Sequence, residues 1–367
     1  MRAGTDGTPL DSTSFDLPAQ PEGRSWPTMT WATGEQTSGD PELVADLIDS
    51  AFEPSNRDRL GEHRAVVIVQ GGRIVAERYG NGADAHSTHL SWSVAKSVTH
   101  AAAGILVRRG LLDPAAPVPA PEWSADGDPR AAITTADLLE MRSGLHFVED
   151  YVDDAVSNCL EMLFGAGADD VAGYAATQPL EHPIGEVFNY SSGTTNIVVR
   201  HLAALLGADH TAPAEQRRDA ITTLLEQELF EPLGMGPVEL RFDAAGTFVG
   251  SSYLYATARD FARFGLLHLR DGVWDGRRIL PEGWVDDART IRSLDPDNGW
   301  YYGRHWWVRG DDVGTFWANG YDGQMVACVP ALDLVFVRLG RMPTALRPAT
   351  EQFFFDVLDA FGRDAAQ

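Results

Sequence analysis

Three short stretches of the 367-residue chain carry side chains that could do chemistry together. The first is Ser91-Trp92-Ser93-Val94-Ala95-Lys96-Ser97, which contains an S-x-x-K pattern from Ser93 to Lys96. A hydroxyl is a weak nucleophile until a base takes its proton, and a neutral lysine can be that base. At spacing i, i+3 on a helix the two side chains share one face and meet without a loop to adjust them. If the helix starts here, its unpaired N-terminal amides also favour a developing oxyanion. S-x-x-K alone is common by chance, but the lysine adds weight. Lys96 is the one lysine of the chain, and the other 28 basic residues are arginines. Arginine cannot lose its proton in a protein, so it cannot replace a residue that must act as a neutral base. The plain alternative is chance survival of a surface lysine.

The second stretch is Phe188-Asn189-Tyr190-Ser191-Ser192-Gly193. A loop tyrosine just before a helix can project into a cleft, and Tyr190 could shuttle a proton between Ser93 and a leaving group. For that, its phenol must be ionised or hydrogen-bonded to Lys96. A packed loop tyrosine is the alternative. The third is Trp317-Ala318-Asn319-Gly320-Tyr321-Asp322-Gly323-Gln324. Glycine on a strand edge lets a ligand approach the backbone closely. The N–H of Tyr321 could then form half of an oxyanion hole with the N–H of Ser93, the alternative being an ordinary hairpin turn.

The elements that must position these stretches follow from periodicity and punctuation. Arg64–Gln70 and Arg73–Tyr79 read as alternating strands of a hairpin around Gly71-Gly72. Ser93–Arg109 reads as a helix closed by Gly110, with Ser91 as its possible cap. Further helices are expected at Thr135–Met141, Asn196–Leu206, Ala220–Leu229, Thr257–Leu269 and Thr350–Phe361, the last amphipathic. Strands Met325–Val329 and Leu334–Leu339 come late. Strands at both ends and helices between them predict an α+β fold: an antiparallel sheet flanked by helices, with a mostly helical insertion. The expected division is an irregular arm over 1–40, a sheet domain from 41–92 plus 246–367, and a helical domain over 93–245. The active site is expected in the cleft between the two domains.

Composition narrows the function. With 44% hydrophobic and 22% charged residues the chain is an ordinary globular protein. The net charge of −24 and the lack of a basic cluster argue against nucleic-acid partners and anionic membrane surfaces. Cys159 and Cys328 are too few for a disulfide framework or a metal site and read as buried thiols. The N-terminal residues lack the apolar core of a signal peptide, and no stretch approaches 18 apolar residues, so a cytoplasmic protein is expected. G-x-S-x-G and H-E-x-x-H are both absent, which argues against an α/β-hydrolase and a zinc hydrolase. No metal and no cofactor is implied.

S-x-x-K, then a tyrosine followed two residues on by a small hydroxyl residue, then a glycine-containing strand motif, in this order, resembles the serine β-lactamase and penicillin-binding-protein family. Leu138–Leu145, Glu231–Met235, Phe264–Leu269 and Gly272–Pro281 are similar to its class C-like branch, which includes family VIII carboxylesterases and 6-aminohexanoate-dimer hydrolase. The resemblance runs from about residue 60 to 362. It implies a β-lactamase-like fold in which Ser93 is acylated, Lys96 is its base and Tyr190 is the catalytic tyrosine. Ser192 then matches the Asn or Ser two positions on, a substrate-binding place shared with Asn319 and Gly320. Glu149-Asp150-Tyr151 resembles a stretch of the nylon-oligomer hydrolases whose tyrosine holds substrate, which implies Tyr151 as a pocket residue.

One departure bears on substrate. The penicillin-recognising members carry K-T-G in the third motif, and that lysine meets the β-lactam carboxylate. Here the aligned residues are Ala318-Asn319-Gly320. Small carboxylic esters and amides are therefore the expected substrates, unless an arginine from elsewhere replaces the lysine. The alternatives are β-lactamase or D-Ala-D-Ala peptidase-type activity, acyl transfer, or a non-catalytic sensor on the same fold.

Overall fold

The computed structural model of the chain describes residues 11–150 and 157–362. Its centre is an eight-stranded antiparallel sheet. We number its strands β1 (Glu62–Gln70), β2 (Arg73–Tyr79), β3 (Ser293–Leu294), β4 (Tyr301–Tyr302), β5 (Trp307–Val308), β6 (Phe316–Gly320), β7 (Gln324–Val329) and β8 (Leu334–Arg341). They lie in the order β2-β1-β8-β7-β6-β5-β4-β3, so the first strands pair with the last. Gly71 and Gly72 make the β1–β2 turn with φ of +57° and +74°, conformations that glycine adopts without steric cost.

The expected polar alternation fails at β1, where Ala65–Val69 is apolar throughout and fully buried. Ala65, Val67 and Val69 face one core, and Val66 and Ile68 face a second. Successive side chains of a strand point to opposite faces, so a strand covered on both sides reads as a continuous apolar run. The helices that cover the sheet are α1 (Pro41–Phe52), α2 (Val94–Arg108), α4 (Ala258–Leu269) and α5 (Arg347–Gly362), and α3 (Ser192–Leu205) packs on α2.

Helices α1 and α5 close one face, and Phe353, Phe354, Val357, Leu358 and Phe361 of α5 pack there with Val44 and Ile48 of α1. Helix α4 lies on the other face. Gly265 lets it approach closely, since a Cβ there would fall 2.6 Å from Val335 Cγ1 and 3.0 Å from Val326 Cγ1. Residues 11–40, ahead of α1, hold a 3-10 turn at Ser12–Ser14 and no strand of the sheet. Asp40 ends this stretch with a backbone bond from its N–H to Ala360 O (2.9 Å), which ties the two ends of the described chain together.

From α2 to Leu233 the described chain is helices and loops, with isolated bridges only. Several boundaries differ from the sequence reading for local reasons. Helix α3 starts at Ser192 rather than Asn196 because Ser191 Oγ caps Thr194 N–H. The helix expected at Ala220–Leu229 runs from Ala214 to Leu225 and then widens into a π turn over Glu226–Phe230. Ser91 does not cap α2: its hydroxyl bonds to the carbonyls of Trp92 and Ser252 and accepts from Leu254 N–H. Among the described residues no helix is long and apolar enough to cross a membrane.

Candidate active site

The chain enters α2 through a sharp turn. Trp92 takes φ = +45°, a left-handed conformation that costs a non-glycine residue energy and is held here by its surroundings. Its ring meets those of Tyr321 at 5.5 Å and Tyr253 at 6.1 Å. The turn leaves Ser93 as the N-terminal cap residue of α2, at the end where the first amides of a helix have no intrahelical acceptor. Lys96 follows on the first turn and is 1% exposed. Its Nζ lies 2.8 Å from Ser93 Oγ, 2.9 Å from Ser192 Oγ and 3.1 Å from Ser251 O.

Tyr190 covers the amine, with Nζ 4.8 Å from the ring centroid. The ring stacks on Trp307 (5.5 Å, 23°) and meets Tyr302 edge-on (5.9 Å, 88°), which fixes it in place. Burial raises the phenol's pKa above its ordinary value of 10. The positive charge of Lys96 and hydrogen bonds with the Ser93 and Lys96 side chains pull against that rise. The phenol thus stays protonated at neutral pH, with its ring against the Lys96 amine.

Strand β6 brings up the third stretch. A Cβ on Gly320 would stand 2.4 Å from Ser91 O and 3.2 Å from Ser93 N, so only glycine lets this strand end abut the start of α2. Tyr321 follows directly. The turn after it is clamped from below by Arg338 of β8, whose Nη1 donates to Asp322 O (2.6 Å) and Gly323 O (3.0 Å). Arg338 is 1% exposed, and burial lowers its pKa to about 10.

Ser93, Tyr190, Asn319, Gly320 and Tyr321 line one cleft of about 270 Å³, with Glu149, Asp150, Trp307 and Arg347 also on its walls. Ser192 sits elsewhere: it is fully buried behind Lys96 and bonds to the amine. Tyr151 lies outside the described residues. Arg347 is the first residue of α5.

Two groups around Lys96 were missed in the sequence. Glu149 accepts from Ser192 N–H at its Oε2 (2.7 Å) and from the Ser192 hydroxyl at its Oε1 (2.5 Å). Ser192 is the first residue of α3, where a carboxylate satisfies an orphan amide and meets the positive end of the helix dipole. Ser251 contributes only its carbonyl and is held by a bond from its N–H to Asn196 Oδ1 (3.3 Å). Glu149 stood in a stretch singled out for its tyrosine, so a signal existed; a backbone carbonyl leaves none. Behind the amine, His305 Nδ1 donates to Leu139 O and its Nε2 accepts from Thr195 Oγ1 (2.9 Å each). Burial, reinforced by the charge of Lys96, lowers its pKa to about 3, so it is neutral.

A model of the beta-lactamase family matches residues 57–352. The chain belongs to that family. Among its relatives is the 6-aminohexanoate-dimer hydrolase of Paenarthrobacter ureafaciens, 27% identical over 326 residues that cover 84% of this chain and 80% of that protein. Of solved structures, EstCE1, described as a hydrolase with promiscuous acyltransferase activity, superposes with a TM-score of 0.63 at 16% identity, covering 88% of this chain and 99% of that one. A penicillin-binding protein homologue from Caulobacter crescentus does so with a TM-score of 0.60 at 18% identity, covering 89% and 100%. Likeness at these identities establishes the shared beta-lactamase-like α+β fold, with its antiparallel sheet and flanking helices. The resemblance read from the three motifs and the family match agree over nearly the same residues. The relative from Paenarthrobacter ureafaciens is a hydrolase by name, which makes this beta-lactamase-family chain the homologue of a hydrolase.

Proposed function

We propose that the chain is a serine hydrolase that cleaves carboxylic esters or amides through an acyl-enzyme on Ser93. The observation that carries this reading is the 2.8 Å contact between Ser93 Oγ and Lys96 Nζ at the head of α2, opening onto the cleft. Lys96 takes the Ser93 proton as Oγ attacks the carbonyl carbon, and the carbonyl electron pair moves onto oxygen. The N–H groups of Ser93 and Tyr321 hold that oxyanion. Tyr190, protonated and with its ring against the Lys96 amine, hands a proton to the leaving group as the tetrahedral intermediate collapses, and the proton that Lys96 took from Ser93 passes back to the tyrosine. Water then attacks the acyl-enzyme and releases the acid. Asn319 and Gly320 contact the substrate from the strand side, and Ser192 serves the reaction through Lys96. The cleft runs between a sheet-bearing part, 41–92 with 246–367, and a helical part, 93–245.

The relative from Paenarthrobacter ureafaciens supports an amide among the substrates, and EstCE1 supports transfer of the acyl group to acceptors other than water. Arg347 on the cleft wall favours a second reading, turnover of β-lactams, because a guanidinium can replace a lysine as the partner of a carboxylate. Initial rates on p-nitrophenyl acetate and butyrate, and on a chromogenic cephalosporin, for wild type and Ser93→Ala test both. Ester turnover lost in Ser93→Ala supports the reading, and ester turnover retained in that variant refutes it. Cephalosporin turnover lost in the same variant supports the second reading.

A further inference from the structure

The amine of Lys96 has three neighbours, and which of them donate and which accept decides where its lone pair points. Ser251 O is a carbonyl and can only accept. Ser192 Oγ carries one hydrogen and could in principle turn it either way. Its other partner is Glu149, whose carboxylate has no hydrogen to give and takes the Ser192 N–H on one oxygen and the Ser192 hydroxyl on the other. The Ser192 hydrogen is therefore spent on Glu149, and towards Lys96 its oxygen can only accept. A neutral amine has two hydrogens and one lone pair. With the hydrogens committed to Ser192 Oγ and Ser251 O, the lone pair is left facing Ser93 Oγ.

We infer that Glu149 is a positioning residue that aims the Lys96 lone pair at Ser93 by fixing the direction of the Ser192 hydroxyl. This rests on the hydrolase reading above. The arrangement also serves the step that follows. Once Lys96 has taken the Ser93 proton, the ammonium has three hydrogens and meets three acceptors, Ser93 Oγ, Ser192 Oγ and Ser251 O, with no change of geometry. The carboxylate of Glu149, one hydroxyl away, offsets the new positive charge in a site from which water is largely excluded. Ser192 is fully buried, so a hydroxyl turned the wrong way has no water to correct it.

Replacing Glu149 by Gln keeps size and shape but reverses the logic. The Gln oxygen takes the Ser192 N–H and its amide nitrogen donates to Ser192 Oγ. The Ser192 hydrogen is then free to turn onto the Lys96 lone pair and occupy it. Glu149→Asp keeps two acceptors and the charge.

The test is the rate at which a fluorophosphonate labels Ser93, followed by intact mass and confirmed on the Ser93 peptide. It is run on wild type, Glu149→Gln, Glu149→Asp, Ser192→Ala and the Glu149→Gln/Ser192→Ala double variant, each checked for a wild-type circular dichroism spectrum. We expect the maximal labelling rate of Glu149→Gln to fall roughly ten-fold or more, as for a misaligned base, with the half-saturating reagent concentration unchanged. Glu149→Asp recovers part of the loss, and the double variant is no slower than the slower single one, because both changes break the same chain. A wild-type labelling rate in Glu149→Gln, or losses that multiply in the double variant, overturns the proposal while leaving the hydrolase reading in place. Absence of label on Ser93 of the wild type overturns both.

Discussion

Replacing Gly320 by Ala probes the junction between β6 and α2 with a single methyl group. Gly320 has φ = −128° and ψ = 158°, extended backbone that alanine adopts without strain, so the change acts through contact alone. The added Cβ would stand 2.4 Å from Ser91 O and 3.2 Å from Ser93 N. Ordinary carbon–oxygen contact needs roughly 3.3 Å or more, so strand and helix start must part by about 1 Å. Overpacking of this size costs about 1–3 kcal/mol, which a chain of this length survives. The catalytic cost is larger. The N–H groups of Ser93 and Tyr321 flank the clash, and their spacing sets the proposed oxyanion hole. A displacement of about 1 Å in such a site lowers turnover roughly 100-fold, in line with the loss of one oxyanion donor. The assay is kcat/KM on p-nitrophenyl butyrate beside a thermal melt. We expect a roughly 100-fold fall carried by kcat with a melting temperature only a few degrees lower. Activity within about three-fold of wild type in a folded variant would refute the placement of the oxyanion hole at this junction.

Two further outcomes concern the base and the buried histidines. Lys96→Arg puts a permanent positive charge at the head of α2 and supplies no neutral base, so ester turnover should fall by roughly 10²–10⁴-fold; near-wild-type rates would remove Lys96 from the base role. Acid should weaken the fold. Burial lowers the pKa of His63 and His305 to about 3 and of His89 and His268 to about 4, against an ordinary value near 6.5 in the unfolded chain. Below pH 6.5 the unfolded chain takes up protons that the native one refuses, so this stability is complete above that pH and is lost as pH falls towards 4. The four together come to several kcal/mol at pH 5, on the order of 1–2 each. His100 and His201, also lowered by burial, add to this, while Asp243, raised to about 6 by burial, works in the opposite sense, as do Asp260, Asp271, Asp295, Asp333 and Glu351, whose carboxyls burial also raises. The net expectation is a melting temperature about 5 °C lower at pH 5 than at pH 7.5, and a flat profile in differential scanning calorimetry would count against four neutral buried histidines.

What was legible in the sequence divides along the range of the forces involved. Ser93 and Lys96 could be paired on paper because one helical turn brings them together whatever the rest of the chain does. The sheet built from both chain ends was legible because β1, β2, β7 and β8 are bounded by glycine or proline turns and carry the right side chains. The apolar run at β1 also announced cover on both faces, though it was read as alternation. Positions decided by tertiary contact were another matter. Ser192 was placed by its distance from Tyr190, and that distance says nothing of which way the first residue of α3 points; it points inward, onto Lys96. Arg338 and Arg347 are two of 28 arginines with no local mark to separate them. One is buried under the Tyr321 turn and the other stands on the cleft wall only because β8 and α5 fold back there.

Glu149 is the instructive case, since its surroundings explain why a lone lysine needs company. A buried amine must find a partner for every hydrogen it carries, and an unpartnered one costs more than a made bond returns. Ser251 O and Ser192 Oγ meet that need in both protonation states, but Ser192 does so reliably only while something else holds its own hydrogen. Fixing that hydrogen takes an acceptor with nothing to donate, and among side chains a carboxylate is the strong one. The S-x-x-K pattern supplies nucleophile and base. The direction in which the base works is set by a residue 53 positions further on, and no motif built from Ser93 and Lys96 alone could have named it.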